Sequence, residues 1–230
     1  MKKNKIAALA GVIMLALALI GCSGKSGETD IKTINVTTEF LTGLGYPPGE
    51  ETVDLPINAP KGFGIRLVVK SFDFLSEYPN LTSLSLIGCE IDKGLVIPHI
   101  ASLHYIAIES ERAVDLIAEN KHIGILNIRW SGENLEPLRE FVNLVALTLV
   151  DPVNLKDISV LANFKKLSRL DLQNAPVETL SPIYELDALA YVTMSKSVYS
   201  HLPIADGVFA SKPEAPEFIL VEEGEFHDMY

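Results

Sequence analysis

Two cysteines, five histidines and a single tryptophan are the residues of this 230-residue chain from which chemistry could be built. A thiol reacts as the thiolate, which needs an electropositive and partly open setting. Cys89 lies in Leu84-Ser85-Leu86-Ile87-Gly88-Cys89, where nothing supplies one, and reads as a buried structural thiol. His99, His104, His122, His201 and His227 have no metal-ligand spacing, and His99 and His122 read as solvated imidazoles on turns. Gly24-Lys25-Ser26 copies the end of a phosphate-binding loop, but Leu19 stands where the first glycine of that loop belongs. No G-x-S-x-G, H-E-x-x-H or paired C-x-x-C occurs, and the acids between Glu222 and Asp228 lack a calcium-loop spacing. The chain reads as a non-enzyme with no cofactor and no metal. What remains is recognition chemistry carried by Tyr, Trp and Arg side chains, and the elements that would position them must be found first.

The N-terminus is one such element. Lys2, Lys3 and Lys5 precede an apolar run from Ile6 to Ile20, too short to cross roughly 30 Å of hydrocarbon as a permanent span. A basic start, an apolar stretch and small residues after it read as an export signal. The ending Leu19-Ile20-Gly21-Cys22 resembles the lipobox of bacterial lipoproteins. That resemblance implies cleavage before Cys22 and a diacylglycerol on its sulfur, leaving residues 1–21 as signal peptide. Two acyl chains, at about 0.8 kcal/mol per buried CH₂, make a stable anchor where one is marginal. Residues 22–30 have the small, polar composition of a flexible tether. The expected location is the bacterial cell membrane or outer membrane, lipid-anchored and outside the cytoplasm. With Cys22 carrying lipid, Cys89 has no disulfide partner and the fold must hold by packing alone.

Charge narrows the partner. The net formal charge is −11, and removing the three lysines of the signal makes it more negative still. A nucleic-acid binder needs clustered Lys and Arg to displace counterions, so nucleic acid is excluded as a partner. The same sign disfavours electrostatic docking on anionic lipid, which leaves the acyl chains as the membrane contact.

The core announces itself as a repeat. In steps of three, Phe72, Leu75, Tyr78, Leu81, Leu84 and then Leu86 are apolar, and the ladder recurs at Leu135, Leu138, Phe141, Leu144, Leu147, Leu149. It returns at Ile158, Leu161, Phe164, Leu167, Leu170, Leu172 and at Leu180, Ile183, Leu186, Leu189, Val192, Met194. Two weaker copies begin at Gly94 and Val114, and only Gly94 and Asn120 break the pattern. A chain that is 48% hydrophobic would fill about half of such positions by chance, so the repeat is real. The reference residues Leu81, Leu103, Ile123, Leu144, Leu167 and Leu189 are spaced by 20 to 23 residues, inside the leucine-rich-repeat period. The last two apolar residues of each copy have strand spacing, and the three-residue steps before them suit a turn of 3₁₀ or α-helix.

At these residues the chain resembles the leucine-rich-repeat family, most closely its internalin-like bacterial class, and the segment from Asp157 to Leu172 carries the likeness best. The resemblance covers about residues 70–196. It implies an α/β fold: a solenoid with a curved parallel sheet on the concave face, short 3₁₀ or α turns on the convex face, and capping elements at both ends. Where the family carries a turn-bonding asparagine, this chain has Cys89, Glu111, Ser131, Pro152, Ala175 and Ser197, a departure that touches the turns and not the solenoid. Residues 31–71 read as an N-terminal cap, with strands over Val53-Leu55-Ile57 and Ile65-Leu67-Val69 each facing one way. Residues 72–196 hold about six repeats. Residues 197–230 read as a C-terminal cap with a strand over 218–221 and a solvated acidic tail.

Residues alternating with the buried strand positions line the concave face, a frequent binding surface of such folds. By register the candidate ligand-binding residues are Tyr105, Glu109, Arg129, Trp130, Arg169, Asp171 and Tyr191, of types enriched at binding hot spots. Tyr105, Glu109, Arg129 and Trp130 make one expected site, and Arg169, Asp171 and Tyr191 a second. The expected function is a non-catalytic protein-binding module, lipid-anchored in the cell envelope, with a protein partner there or in the extracellular space. A carbohydrate or cell-wall-polymer binder using Tyr105, Trp130 and Tyr191 as stacking platforms is one alternative. An accessory scaffold subunit of an envelope enzyme is another.

Overall fold

The computed structural model describes residues 32–54, 65–202 and 215–222. The chain divides into two compact units after Leu95. Cys22 and the tether, Leu55 and Ile57 of the expected first cap strand, and the acidic tail beyond Glu222 lie outside the described residues.

In the first unit, β1 (Lys32–Asn35), β3 (Ile65–Val69) and β5 (Cys89–Ile91) form a parallel three-stranded sheet in that order. A separate pair joins β2 (Thr52–Asp54) to β4 (Ser83–Ser85), also parallel. Helix α1 (Thr38–Gly43) starts where the Thr37 hydroxyl accepts the Phe40 N–H at 3.2 Å, which satisfies a donor that has no partner inside the helix. Leu67, Val68 and Val69 are all buried, so the alternation expected for this segment is absent. Successive strand residues point to opposite faces, so burial of Leu67, Val68 and Val69 alike means that both faces of β3 are covered here. The first copy of the ladder, Phe72 to Leu86, is buried throughout, and the hydroxyl of its fully buried Tyr78 donates to the Tyr46 carbonyl at 2.7 Å. Cys89 sits in strand β5 and not in a turn. It is buried, and burial pushes its thiol up to about 12, so it is protonated and inert at neutral pH.

The second unit holds the other five copies as successive coils. Its strands β6 (Tyr105–Ile108), β7 (Ile125–Arg129), β8 (Ala146–Val150), β9 (Arg169–Asp171), β10 (Tyr191–Ser195) and β11 (Glu217–Val221) lie side by side in chain order, every pair parallel. The register is constant: Ile106, Leu126, Leu147, Leu170, Val192 and Phe218 stand opposite one another. All ladder positions of these coils are buried except Gly94, which is exposed, and Val114, which is half-buried. The C-terminal strand seen in the sequence is therefore a sixth parallel strand that covers the edge of β10.

Short helical turns close the coils: α2 (Ala113–Leu116) in one, and 3₁₀ turns at Glu136–Leu138, Ser159–Asn163 and Ser181–Ile183 in the next three. Each 3₁₀ turn begins with the same device. Asn134, Asp157 and Thr179 accept, through the side chain, the N–H two residues on, at 3.0, 2.8 and 3.1 Å. The Ser159 N–H and hydroxyl hold the Asp157 carboxyl below the usual carboxylate range.

The coil containing Ile97 to Leu103 has no helical turn, so its backbone groups need partners from elsewhere. Asn120, the polar break in the ladder, supplies them. Its side-chain oxygen accepts the Ile100 N–H at 2.9 Å, and its NH₂ donates to the Ile97 and Pro98 carbonyls at 3.1 and 3.0 Å. His99 and His122 add to this seam. Their rings meet edge to face at 5.1 Å between centroids, and each places a ring nitrogen on a carbonyl, Glu119 at 2.9 Å and Ile100 at 3.1 Å. The histidines expected to be merely solvated thus tie adjacent coils together.

Candidate binding face

Parallel register sets the strand residues that alternate with the ladder in three rows, of which the central one is largely buried, at Ala107, Asn127, Asp171 and Thr193. One row runs Tyr105, Ile125, Ala146, Arg169, Tyr191 and Glu217. A central row runs Ala107, Asn127, Thr148, Asp171, Thr193 and Ile219. The third contains Arg129, paired in register with Val150. Tyr105 and Arg129 therefore occupy opposite ends of adjoining strands, four residues or about 13 Å apart along the chain direction at roughly 3.3 Å per residue. The expected first site is split by this distance: Glu109, Arg129 and Trp130 share one end, and Tyr105 lies at the other. Tyr105, on β6, is also four strands from Tyr191 within its own row.

The second expected group is divided differently. Arg169 and Tyr191 are register partners on β9 and β10, both exposed, and the Arg169 guanidinium lies over the Tyr191 ring at 5.9 Å from its centroid. A cation over an aromatic face attracts it electrostatically and keeps both groups pre-arranged for a partner. Asp171 does not join them. It is buried, and its carboxylate accepts the Gln173 N–H at 2.9 Å, so it serves the strand exit.

At the other end of the strands, the position two residues past the last ladder residue decides the geometry. Asp151 and Asn174 occupy it in left-handed conformation, with φ of 52° and 64°, and in the first unit Gly88 does the same at 77°. Asp and Asn tolerate this region because their short polar side chains bond locally. In the third copy the position holds Trp130. A bulky indole does not adopt that turn; Trp130 lies buried just beyond β7, and its backbone N–H donates to the Val150 carbonyl at 3.0 Å. Arg129 is held by an ion pair with Asp151 of the next coil.

Beside this exit lies a pocket of about 230 Å³ lined by Glu111, Arg112, Asp115, Arg129, Trp130 and Gly132 among others. The buried indole nitrogen of Trp130 has no hydrogen-bond partner. Sequence reasoning found Arg129 and Trp130 and missed Glu111, Asp115, Asp151 and Gly132. The readable signal was the shared position of Gly88, Asp151 and Asn174, which Ser110, Trp130 and Lys196 occupy in the other copies without the left-handed turn. Among the described residues no group of three or more His, Cys, Asp or Glu side chains could hold a metal ion, and no helix is long and apolar enough to cross a membrane.

Repeated coils, one parallel strand per coil and a buried apolar ladder define a leucine-rich-repeat solenoid. Among solved structures the chain is similar to internalin C2 of Listeria monocytogenes, with TM-score 0.50 and 18% identity over 81% of this chain and 84% of that one. It is also similar to the internalin inlF of the same organism, with TM-score 0.42 and 17% identity over 79% of this chain and 58% of that one. No protein-family model and no curated protein matches the chain.

Proposed function

We propose that this protein is a lipid-anchored cell-envelope protein whose leucine-rich-repeat unit binds a protein partner and performs no chemistry of its own. The anchor rests on the lipobox-like Leu19-Ile20-Gly21-Cys22. The binding role is supported above all by the exposed Arg169 and Tyr191 pair, a stacked cation and aromatic ring on neighbouring strands of the sheet face. Tyr and Arg are the types that dominate interface energetics when they are pre-arranged. A sugar site would need exposed rings in a row. Trp130 is instead buried, and Tyr105 is four strands from Tyr191.

The test is affinity capture from the source cell's envelope with the full chain as bait, comparing the wild type with Arg169→Ala plus Tyr191→Ala. Both side chains are exposed, so the double variant keeps the fold. Capture of a protein that weakens by about 2 kcal/mol or more, near thirtyfold, supports the reading. Equal capture by both baits refutes this face, and retention of polysaccharide without protein refutes the partner class.

A further inference from the structure

His99 and His122 belong to adjacent coils, and stacking of those coils brings their rings edge to face with centroids 5.1 Å apart. Each ring places one nitrogen on a main-chain carbonyl, His99 Nδ1 on Glu119 at 2.9 Å and His122 Nε2 on Ile100 at 3.1 Å. A carbonyl oxygen only accepts, so the proton sits on Nδ1 of His99 and on Nε2 of His122. The opposite nitrogens, His99 Nε2 and His122 Nδ1, keep lone pairs that no described residue answers. An N–H bonded to a carbonyl on the far side of the ring is the support that metal-bound imidazoles almost always carry, because it fixes the tautomer and frees the other nitrogen to ligate.

The support is rigid. Asn120 follows Glu119, is fully buried, and clamps the main chain on both sides of His99 through the Ile97 and Pro98 carbonyls and the Ile100 N–H. The two carbonyls that hold the rings therefore belong to segments that cannot separate without breaking this clamp. His99 is exposed and His122 half-buried, so the pair lies at the surface. Two imidazoles bound to one tetrahedral ion at about 2.1 Å place their ring centroids roughly 5.2 Å apart, and the observed 5.1 Å matches that separation.

The donor set selects the ion. Neutral imidazole nitrogens suit Zn²⁺, Ni²⁺ and Cu²⁺, whereas Mg²⁺ and Ca²⁺ take oxygen ligands. The local charge favours a cation: Lys121, beside His122, is paired with Glu140, while the exposed Glu119 carboxylate has no partner among the described residues. No third His, Cys, Asp or Glu completes the set among the described residues, so the remaining positions belong to water or to a donor from a bound partner. An ion held in this way exchanges with solvent, unlike one in a closed structural centre.

We propose that His99 Nε2 and His122 Nδ1 together bind one divalent transition-metal ion of the Zn²⁺ kind and so pin two neighbouring coils to each other. The site shares no residue with the Arg169 and Tyr191 face and does not depend on the protein-binding reading.

Zn²⁺ is the probe, added to the full chain labelled with ring-¹⁵N-histidine. Two-bond proton–nitrogen correlation spectra report which ring nitrogen carries the proton and which the metal, and single-histidine variants assign the five rings. The signals of His99 and His122 should move together and saturate at one ion per chain, with the metal on Nε2 in His99 and on Nδ1 in His122. Mg²⁺ at the same concentration should move neither. His99→Gln and His122→Gln should each weaken the response of the remaining ring at least about tenfold. His201→Gln, which removes an exposed histidine of the last helix, should leave the pair's response unchanged. Zn²⁺ should also raise the thermal midpoint of the wild type more than that of either pair variant, because an ion that binds the folded seam stabilises it.

Independent movement of the two rings, the same ring nitrogen on the metal in both, or no saturable response overturns the proposal, as does an equal response to Mg²⁺. An undiminished response in either pair variant reduces the site to solitary surface imidazoles and overturns it as well. The wild-type spectra alone decide between shared and separate binding, so a variant that folds poorly does not remove the test.

Discussion

Replacing Asn120 by leucine restores the apolar ladder, and it should nevertheless destabilise the protein. In the wild type this one side chain answers the Ile100 N–H and the Ile97 and Pro98 carbonyls. Ile97 and Ile100 are buried, whereas Pro98 is exposed and its carbonyl can turn to water. Two buried backbone groups left without partners cost about 1–3 kcal/mol each. Burying a leucine returns about 1.5–3 kcal/mol of that, so Asn120→Leu should lose about 2 kcal/mol net. Asn120→Ala has no such compensation and should lose about 2–6 kcal/mol. Asn120→Asp keeps an acceptor for Ile100 but points a carboxylate at two carbonyl oxygens. It should be weakest relative to wild type at neutral pH and recover as the pH falls and the carboxyl takes up a proton. Urea unfolding followed by circular dichroism and by Trp130 fluorescence measures all three, a lowered midpoint at unchanged slope reporting stability alone. An Asn120→Leu variant as stable as the wild type would show that the coil satisfies its own backbone, and the account of Asn120 would be wrong.

Leu147→Ala and Leu170→Ala should each cost about 2–5 kcal/mol in the same assay, through lost burial and the cavity left behind, whereas the half-buried Thr148→Ala should cost far less. Cys89 should resist an aromatic disulfide reagent at pH 8 in the folded protein and react when urea unfolds it. Its thiol is raised from an ordinary 9.0 to about 12, so its contribution to stability is present below pH 9 and is lost as pH rises toward 12; Cys89→Ala should remove that part of the alkaline loss. Cys22→Ala should abolish metabolic lipid labelling and processing before residue 22, and intact labelling in that variant would remove the anchor.

The ladder was legible because burial acts on single residues at a fixed period. Each coil must hide the same few side chains, and that requirement is written directly into positions such as Leu144, Leu147 and Leu149. The C-terminal strand was legible for the same reason, since Phe218 to Val221 stood out against its polar surroundings. The sheet of β1, β3 and β5 was not. Its pairs join residues as far apart as Lys32 and Ile65, and no local pattern specifies which distant strand a segment will meet. Val68 is buried on the face opposite Leu67 and Val69, so both faces of β3 are covered, which an alternating pattern does not foretell.

The binding face was half legible, and the illegible half lies in the turns. Register predicts which residues point outward, but it does not predict that Asp171 turns its carboxylate to the main chain or that Tyr105 and Arg129 sit at opposite strand ends. The turn residues held that information. Gly88, Asp151 and Asn174 share one left-handed position because only small or locally bonding side chains fit there, so a tryptophan in the same register could not form the same turn. The six coils are not equal in this respect: Ser110, Trp130 and Lys196 take the same position without the left-handed turn. Where Trp130 leaves β7 its side chain is buried, and Glu111, Asp115 and Gly132 line the pocket beside it. The regular coils supply stability. The exits of the strands differ from coil to coil, because there the local side chain and not the ladder sets the path of the chain.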